Sequence, residues 1–174
     1  MSIKRLLGFN VLLVMVGCAW TQMTVDYDPQ FDFTKLKTYD WIPNPVVTAS
    51  AELVEKHLKT AMNAELEKKG YSQSADKPDF YIALHASKED KVDVSSWGYG
   101  YGYGWYGYGG GVDVYQYEEG TAVFDFVDGE KKDLIWRGVV KVEIDRKASF
   151  EKRQKRIKEI VEKMLKDFPP GRKK

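Results

Sequence analysis

The sequence predicts an α+β fold, a two-layer sandwich in which a mainly antiparallel sheet carries two amphipathic helices on one face. Three observations lead there. Two segments, Val54 to Leu66 and Phe150 to Phe168, repeat apolar residues at the helical period, so each has one face to bury. Three others, beginning at Phe80, Ala122 and Leu134, alternate apolar and polar residues, which marks strands with one face on a core. Layering the helices on the apolar side of the sheet buries all these faces at once.

The first element is not part of that body. Lys4 and Arg5 precede a run of 12 uncharged, mostly apolar residues, Leu6 to Gly17, which stops at Cys18, the only cysteine. A helix needs about 20 apolar residues to cross a bilayer, so this run has the layout of a secretory leader. Its end, Met15-Val16-Gly17-Cys18, resembles the lipobox of bacterial lipoproteins, with Met where Leu is usual. The resemblance implies a signal peptide over 1–17 and lipid attachment at Cys18; the alternative is an ordinary leader with a buried free thiol. By the same resemblance Ala19, in place of Asp, favours the outer membrane of a diderm host. Removal of 1–17 leaves 157 residues carrying 25 Lys+Arg against 26 Asp+Glu, a size suited to one domain. The near-neutral balance gives no electrostatic case for nucleic acid.

Residues 18–24 are read as a lipidated tether and 25–170 as the periplasmic domain. VDYDPQFDFTKLKTYDWI, Val25 to Ile42, suggests two short strands around the Asp28-Pro29 turn, closed by Pro43 and Pro45. A helix follows, capped by Thr48 or Ser50, with Glu52 and Glu55 in its first turn and Val54, Leu58, Ala61, Met62 and Leu66 on one face. Lys68-Lys69-Gly70 is its stop signal. Phe80 to Ala86 forms a strand; the polar SKEDK leads to Val92-Asp93-Val94 and then to the Gly/Tyr tract, after which Val112 to Tyr117 resumes as strand. Ala122, Phe124 and Phe126 face one side, and Leu134, Trp136, Val140, Val142 and Ile144 face one side of the returning strand, the pair joined by a loop at Asp128-Gly129. The count is about six strands. The last helix, Ser149 to about Phe168, stripes Phe150, Ile157, Ile160, Val161, Met164, Leu165 and Phe168. Its surface pairs are Glu151–Lys155, Glu159–Lys163 and Glu162–Lys166, and Pro169-Pro170 ends it. Residues 171–174 are a basic tail.

The candidate chemistry is thin. His57 and His85 have no partner at metal-ligand spacing, no nucleophile elbow is present, and no metal, cofactor or catalytic residue is expected. GYGYGYG satisfies G-x-G-x-x-G only because every second residue is Gly, and no helix start follows, so it is no phosphate loop. The Gly/Tyr-rich loop, 97–111, is the unusual feature. Of the 14 residues from Gly98 to Gly111, eight are Gly and the rest are Tyr99, Tyr101, Tyr103, Trp105, Tyr106 and Tyr108. Such rings can stack on sugars, on a partner's apolar patch or at a lipid interface; the plainer alternative is a low-complexity extension that binds nothing specific. No Lys or Arg lies between Val92 and Glu130, which argues against stacking on single-stranded nucleic acid.

Several stretches together resemble the bacterial lipoproteins of domain-of-unknown-function family 4136. They are Tyr27-Asp28-Pro29 with FDFTKLKTYDW to Trp41, Lys69-Gly70-Tyr71, Gly120-Thr121 before Phe124-Asp125-Phe126, LIWRG from Leu134 to Gly138, and Phe168-Pro169-Pro170. The resemblance implies a lipid-anchored envelope protein with an α+β domain and supplies no catalytic residues. The expectation is a non-enzymatic outer-membrane lipoprotein whose periplasmic domain has an interaction or envelope-support role, with an envelope protein or peptidoglycan as partner. The alternative is glycan or small-ligand binding through the aromatic loop, and a hydrolase built on His57 or His85 is the third reading.

Overall fold

The computed structural model describes residues 21–43, 49–96 and 112–171. Strand β1 covers Thr21–Tyr27, a 3-10 turn Phe33–Lys35, β2 Thr38–Trp41 and helix α1 Ala49–Lys68. Then come β3 (Ser72–Gln73), β4 (Phe80–Ser96), β5 (Val112–Asp128), β6 (Leu134–Glu143) and helix α2 (Phe150–Met164). The sheet order is β1-β6-β5-β4-β2-β3. Pairing is antiparallel from β1 to β4, while β2 runs parallel to both β4 and β3.

The parallel corner arises from the path of the chain: α1 runs back along the sheet from the end of β2, so β3 and β4 enter the sheet in the direction of β2. Gly70, at φ +90°, makes the reversal after α1 in a conformation other residues resist, and the Tyr71 N–H closes the end on Leu66 O at 3.0 Å. Asp79 locks the corner. Its carboxylate accepts from the N–H groups of Lys37 and Thr38, each at 2.8 Å, and from the Thr38 hydroxyl at 3.0 Å. Burial alone would raise this carboxyl, but the Thr38 and Lys37 donors outweigh it and hold Asp79 below its ordinary range.

Met62 and Leu66 of α1, Val161 and Met164 of α2 and Leu165 just after it share one core with Phe80, Ile82, Phe124, Phe126, Trp136 and Val140 of the sheet. Phe168 sits in its middle, with ring centroids 5.1 Å from Phe126, 5.5 Å from Tyr71, 5.7 Å from Trp136 and 6.0 Å from Phe33. Gly138 makes room for this packing: a Cβ there would lie 2.5 Å from the Trp136 ring and 2.6 Å from Met164 Sδ. The helices lie side by side and run the same way, with Phe150 at the start of α2 stacked edge-on against His57, two turns into α1, and Lys68 within reach of Glu162 near their ends. Ser149 caps α2, accepting from Lys152 N at 3.2 Å.

Several expectations are corrected. Leu134 is 45% exposed and Ile135 is buried in its place. The register shifts between Phe126, opposite Trp136, and Val127, opposite Leu134, so Ile135 is an extra residue that inverts the alternation. Val54 and Phe150 are also exposed, because each lies in the first turns of its helix, beyond the edge of the core. α2 ends at Met164, and Phe168 reaches the core from the turn after it. On its surface the structure shows Lys155 with Glu159 at 3.8 Å. The SKEDK segment does not break its strand, since β4 continues to Ser96. β1 begins at Thr21, inside the stretch read as tether.

Candidate functional site

Cys18 and the six rings of the tract, Tyr99, Tyr101, Tyr103, Trp105, Tyr106 and Tyr108, lie outside the described residues, as do residues 172–174 of the basic tail 171–174. The structure does fix where these segments join the body. β4 and β5 pair without interruption from Phe80↔Asp128 to Ser96↔Val112, so residues 97–111 connect two directly opposed positions. β6 accompanies the pair only as far as Glu119↔Glu143. Seven further pairs, Asp90↔Glu118 to Ser96↔Val112, form a two-stranded ribbon beyond the sheet, about 23 Å long at the usual strand rise. Thr21, where β1 begins, is opposite Val142 at that same end.

Charges hold the ribbon's base. Glu118, only 6% exposed, receives Arg146 Nη2 and, at 2.6 Å, Lys88 Nζ. Arg146 also reaches Asp90 at 3.5 Å, and Ile144 N donates to Glu118 O at 2.8 Å. The Arg146 guanidinium first, and Lys88 second, hold the Glu118 carboxyl below its usual range; reciprocally, Glu118 raises Arg146. On the other face Lys91 binds Glu89 at 2.7 Å, lowering the Glu89 carboxyl. Nothing in the run SKEDK announces these pairs; the signal that could have found them is the equal length of the polar arms on either side of the tract.

The second feature is an open groove of about 270 Å³ along α1, lined by Glu52, Glu55, Lys56, Lys59, Thr60 and Asn63. Its polar groups are engaged locally. Asn63 Oδ1 accepts from Trp41 Nε1 at 2.9 Å, Lys59 pairs with Glu55 at 2.7 Å and lies 5.2 Å from the centroid of the Trp41 ring, and Thr60 donates to Lys56 O at 2.8 Å. These contacts fasten α1 over the end of β2. The two imidazoles are not brought together: His57 lies on α1, over one face of the sheet, and His85 is exposed on β4, alternating to the other face from buried Leu84. Among the described residues no group of three or more His, Cys, Asp or Glu could hold a metal ion, and none of the helices is long and apolar enough to cross a membrane.

The third feature is an exposed apolar patch at the start of both helices: Leu53 at 64%, Val54 at 46% and Phe150 at 55%. Basic residues flank Phe150, since the segment from Asp145 to Arg156 holds six Lys or Arg against two acidic residues, while Glu52 and Glu55 flank Leu53 and Val54.

A family model described as "Domain of unknown function (DUF4136)" matches residues 23–170. No curated protein sequence matches the chain. Among solved structures it is similar to a PDZ domain protein from Parabacteroides distasonis, 13% identical with a TM-score of 0.53; the match covers 89% of this chain and 38% of that one. The chain thus spans little more than a third of that protein, and the likeness is one of fold. Two looser likenesses are to a PelC dodecamer from Paraburkholderia phytofirmans (12% identical, 84% and 95% covered, TM-score 0.47) and to a minor lipoprotein from Acinetobacter baumannii (11% identical, 75% and 91% covered, TM-score 0.40).

Proposed function

The chain belongs to the DUF4136 family, and from that premise we propose that it is a non-enzymatic lipoprotein, held through Cys18 on the periplasmic face of the outer membrane, whose domain has an interaction or envelope-support role. The observation that carries this reading is the short distance between leader and fold. Only Ala19 and Trp20 separate Cys18 from the first residue of β1, so two or three acyl chains at Cys18 tie a β-sheet to the lipid with a lead of about 10 Å. Metabolic labelling with palmitate tests it. Label in the wild-type band, lost in Cys18→Ser and recovered with the outer-membrane fraction, is the expected result. An unlabelled, unprocessed chain in the cytosol contradicts it.

The pairing of Ser96 with Val112 favours a second reading for the tract. The tract that carries Tyr99, Tyr101, Tyr103, Trp105, Tyr106 and Tyr108 joins the chain at the far end of the ribbon, and rings of this kind can stack on a glycan. Saturable quenching of tryptophan fluorescence by peptidoglycan fragments, abolished on shortening 97–111, supports this reading; unchanged fluorescence rejects it.

A further inference from the structure

We propose that the pole of the domain where both helices begin is a docking surface for an anionic phospholipid bilayer. The inference rests on the lipid-anchor reading and adds an orientation to it. Thr21 opposite Val142, the end of β6, the turn 144–149, the first turns of α1 and α2 and the root of the β4–β5 ribbon all lie at one end of the sheet. The N-terminal segment therefore joins the body at the pole that exposes Leu53, Val54 and Phe150, and the tract joins it through the ribbon rooted there.

Geometry then limits the alternatives. An anchor at Cys18 allows a separation of about 10 Å, whereas the ribbon extends about 23 Å from the same end. A ribbon that enters the lipid surface, or lies along it with the helix-bearing face of the sheet turned down, brings the helix starts to the headgroups. Their chemistry suits that place. Phe150 stands beside His57 at a ring distance of 5.7 Å, offering an apolar body at the height of the interface. Lys147, exposed, and Arg153, whose Nη1 donates to Ala148 O at 2.7 Å, add positive charge around it. Lys152 is partly neutralised by Asp145 at 3.1 Å, and Arg146 by Glu118 and Asp90. Lys147, and Arg153 beside Glu151, are the charges that meet lipid phosphate, each strengthening docking by up to about fivefold at a surface carrying anionic lipid.

The test uses the acylated full-length protein in vesicles of phosphatidylethanolamine with a minority of phosphatidylglycerol brominated in its acyl chains. With Cys18 acylated, Phe150→Cys and Leu134→Cys each carry one environment-sensitive fluorophore. Leu134 is the control, since it is similarly exposed but opens β6 at the far end. The label at Phe150 is expected to lose most of its emission while that at Leu134 keeps it, and Lys147→Gln with Arg153→Gln to relieve the loss. Vesicle flotation with equal emission at both positions overturns the docking surface and leaves the anchor standing. A protein that carries no acyl chain and fails to float overturns both. An unquenched Phe150 label that crosslinks to a second copy assigns the patch to self-association, which also overturns the proposal.

Discussion

Strand β4 passes from one physical regime into another near Ala86. On the body side Phe80, Ile82 and Leu84 lie under the helices, almost fully buried, and their register with β5 is fixed because a slip of one residue would expose them. On the far side Lys88, Glu89 and Asp90 are exposed, no helix covers them, and the same ladder of pairs continues to Ser96↔Val112. There the strands stay together through backbone hydrogen bonds and the charges gathered on Glu118. Burial thus sets the register in one region, and the other inherits it. A region that only inherits its register can open without the body.

The strongest way to break the contrast is to attack the packed half. Trp136→Ala empties the space beside Phe126 and Phe168 and is expected to cost about 3–5 kcal/mol, read as a fall in melting temperature of the whole domain. Gly138→Val meets the Trp136 ring and Met164 at less than contact distance and should prevent soluble expression or lower the melting temperature comparably. Next in size is the parallel corner. Asp79→Ala leaves the N–H groups of Lys37 and Thr38 without their acceptor, a loss of about 1–3 kcal/mol measurable by urea unfolding.

Solution pH sharpens the comparison from both ends. Burial first, then the charges of Glu67 and Asp40, pushes the Tyr39 hydroxyl up to about 12. A raised pKa makes stability complete below the unfolded value of about 10 and erodes it as pH rises through the folded one. Alkaline unfolding of the body is therefore expected between those limits, weakened in Tyr39→Phe. Glu118 has the opposite sign, since its lowered carboxyl supports the ribbon base above the unfolded value of about 4.3 and ceases to do so as pH falls through its folded pKa. The smallest effect belongs to Glu118→Gln, which should leave the melting temperature unchanged and speed amide exchange only at the ribbon base around Lys88 and Glu118 and along the ribbon from Asp90 to Ser96. A large thermal shift would show that the ribbon supports the body.

Legibility followed the same division. The helices and the covered strands stood out in the sequence because Leu58, Met62 and Leu66, or Phe124 and Phe126, repeat at a period that burial enforces. Ser87 to Lys91 carried no such signal, since their strand conformation comes from a partner about 30 residues away. Leu134 was misplaced by one inserted residue, a bulge that leaves no mark on composition. Two-residue β3 and the parallel corner depend on Asp79, a polar residue whose role appears only when Lys37 and Thr38 arrive beside it. Of the candidate site, the lipobox-like cysteine and the aromatic tract were visible as composition. The charged ribbon root and the exposed helix starts were not, because they arise from elements that meet only in the folded chain.

Native-state hydrogen exchange along β4, followed amide by amide under increasing denaturant, tests the account most directly. The amides from Phe80 to Ala86 should exchange only through global unfolding, and those from Asp90 to Ser96 through a separate opening of lower free energy that Glu118→Gln lowers further. Equal protection along the strand, lost at one denaturant concentration in both proteins, would contradict it.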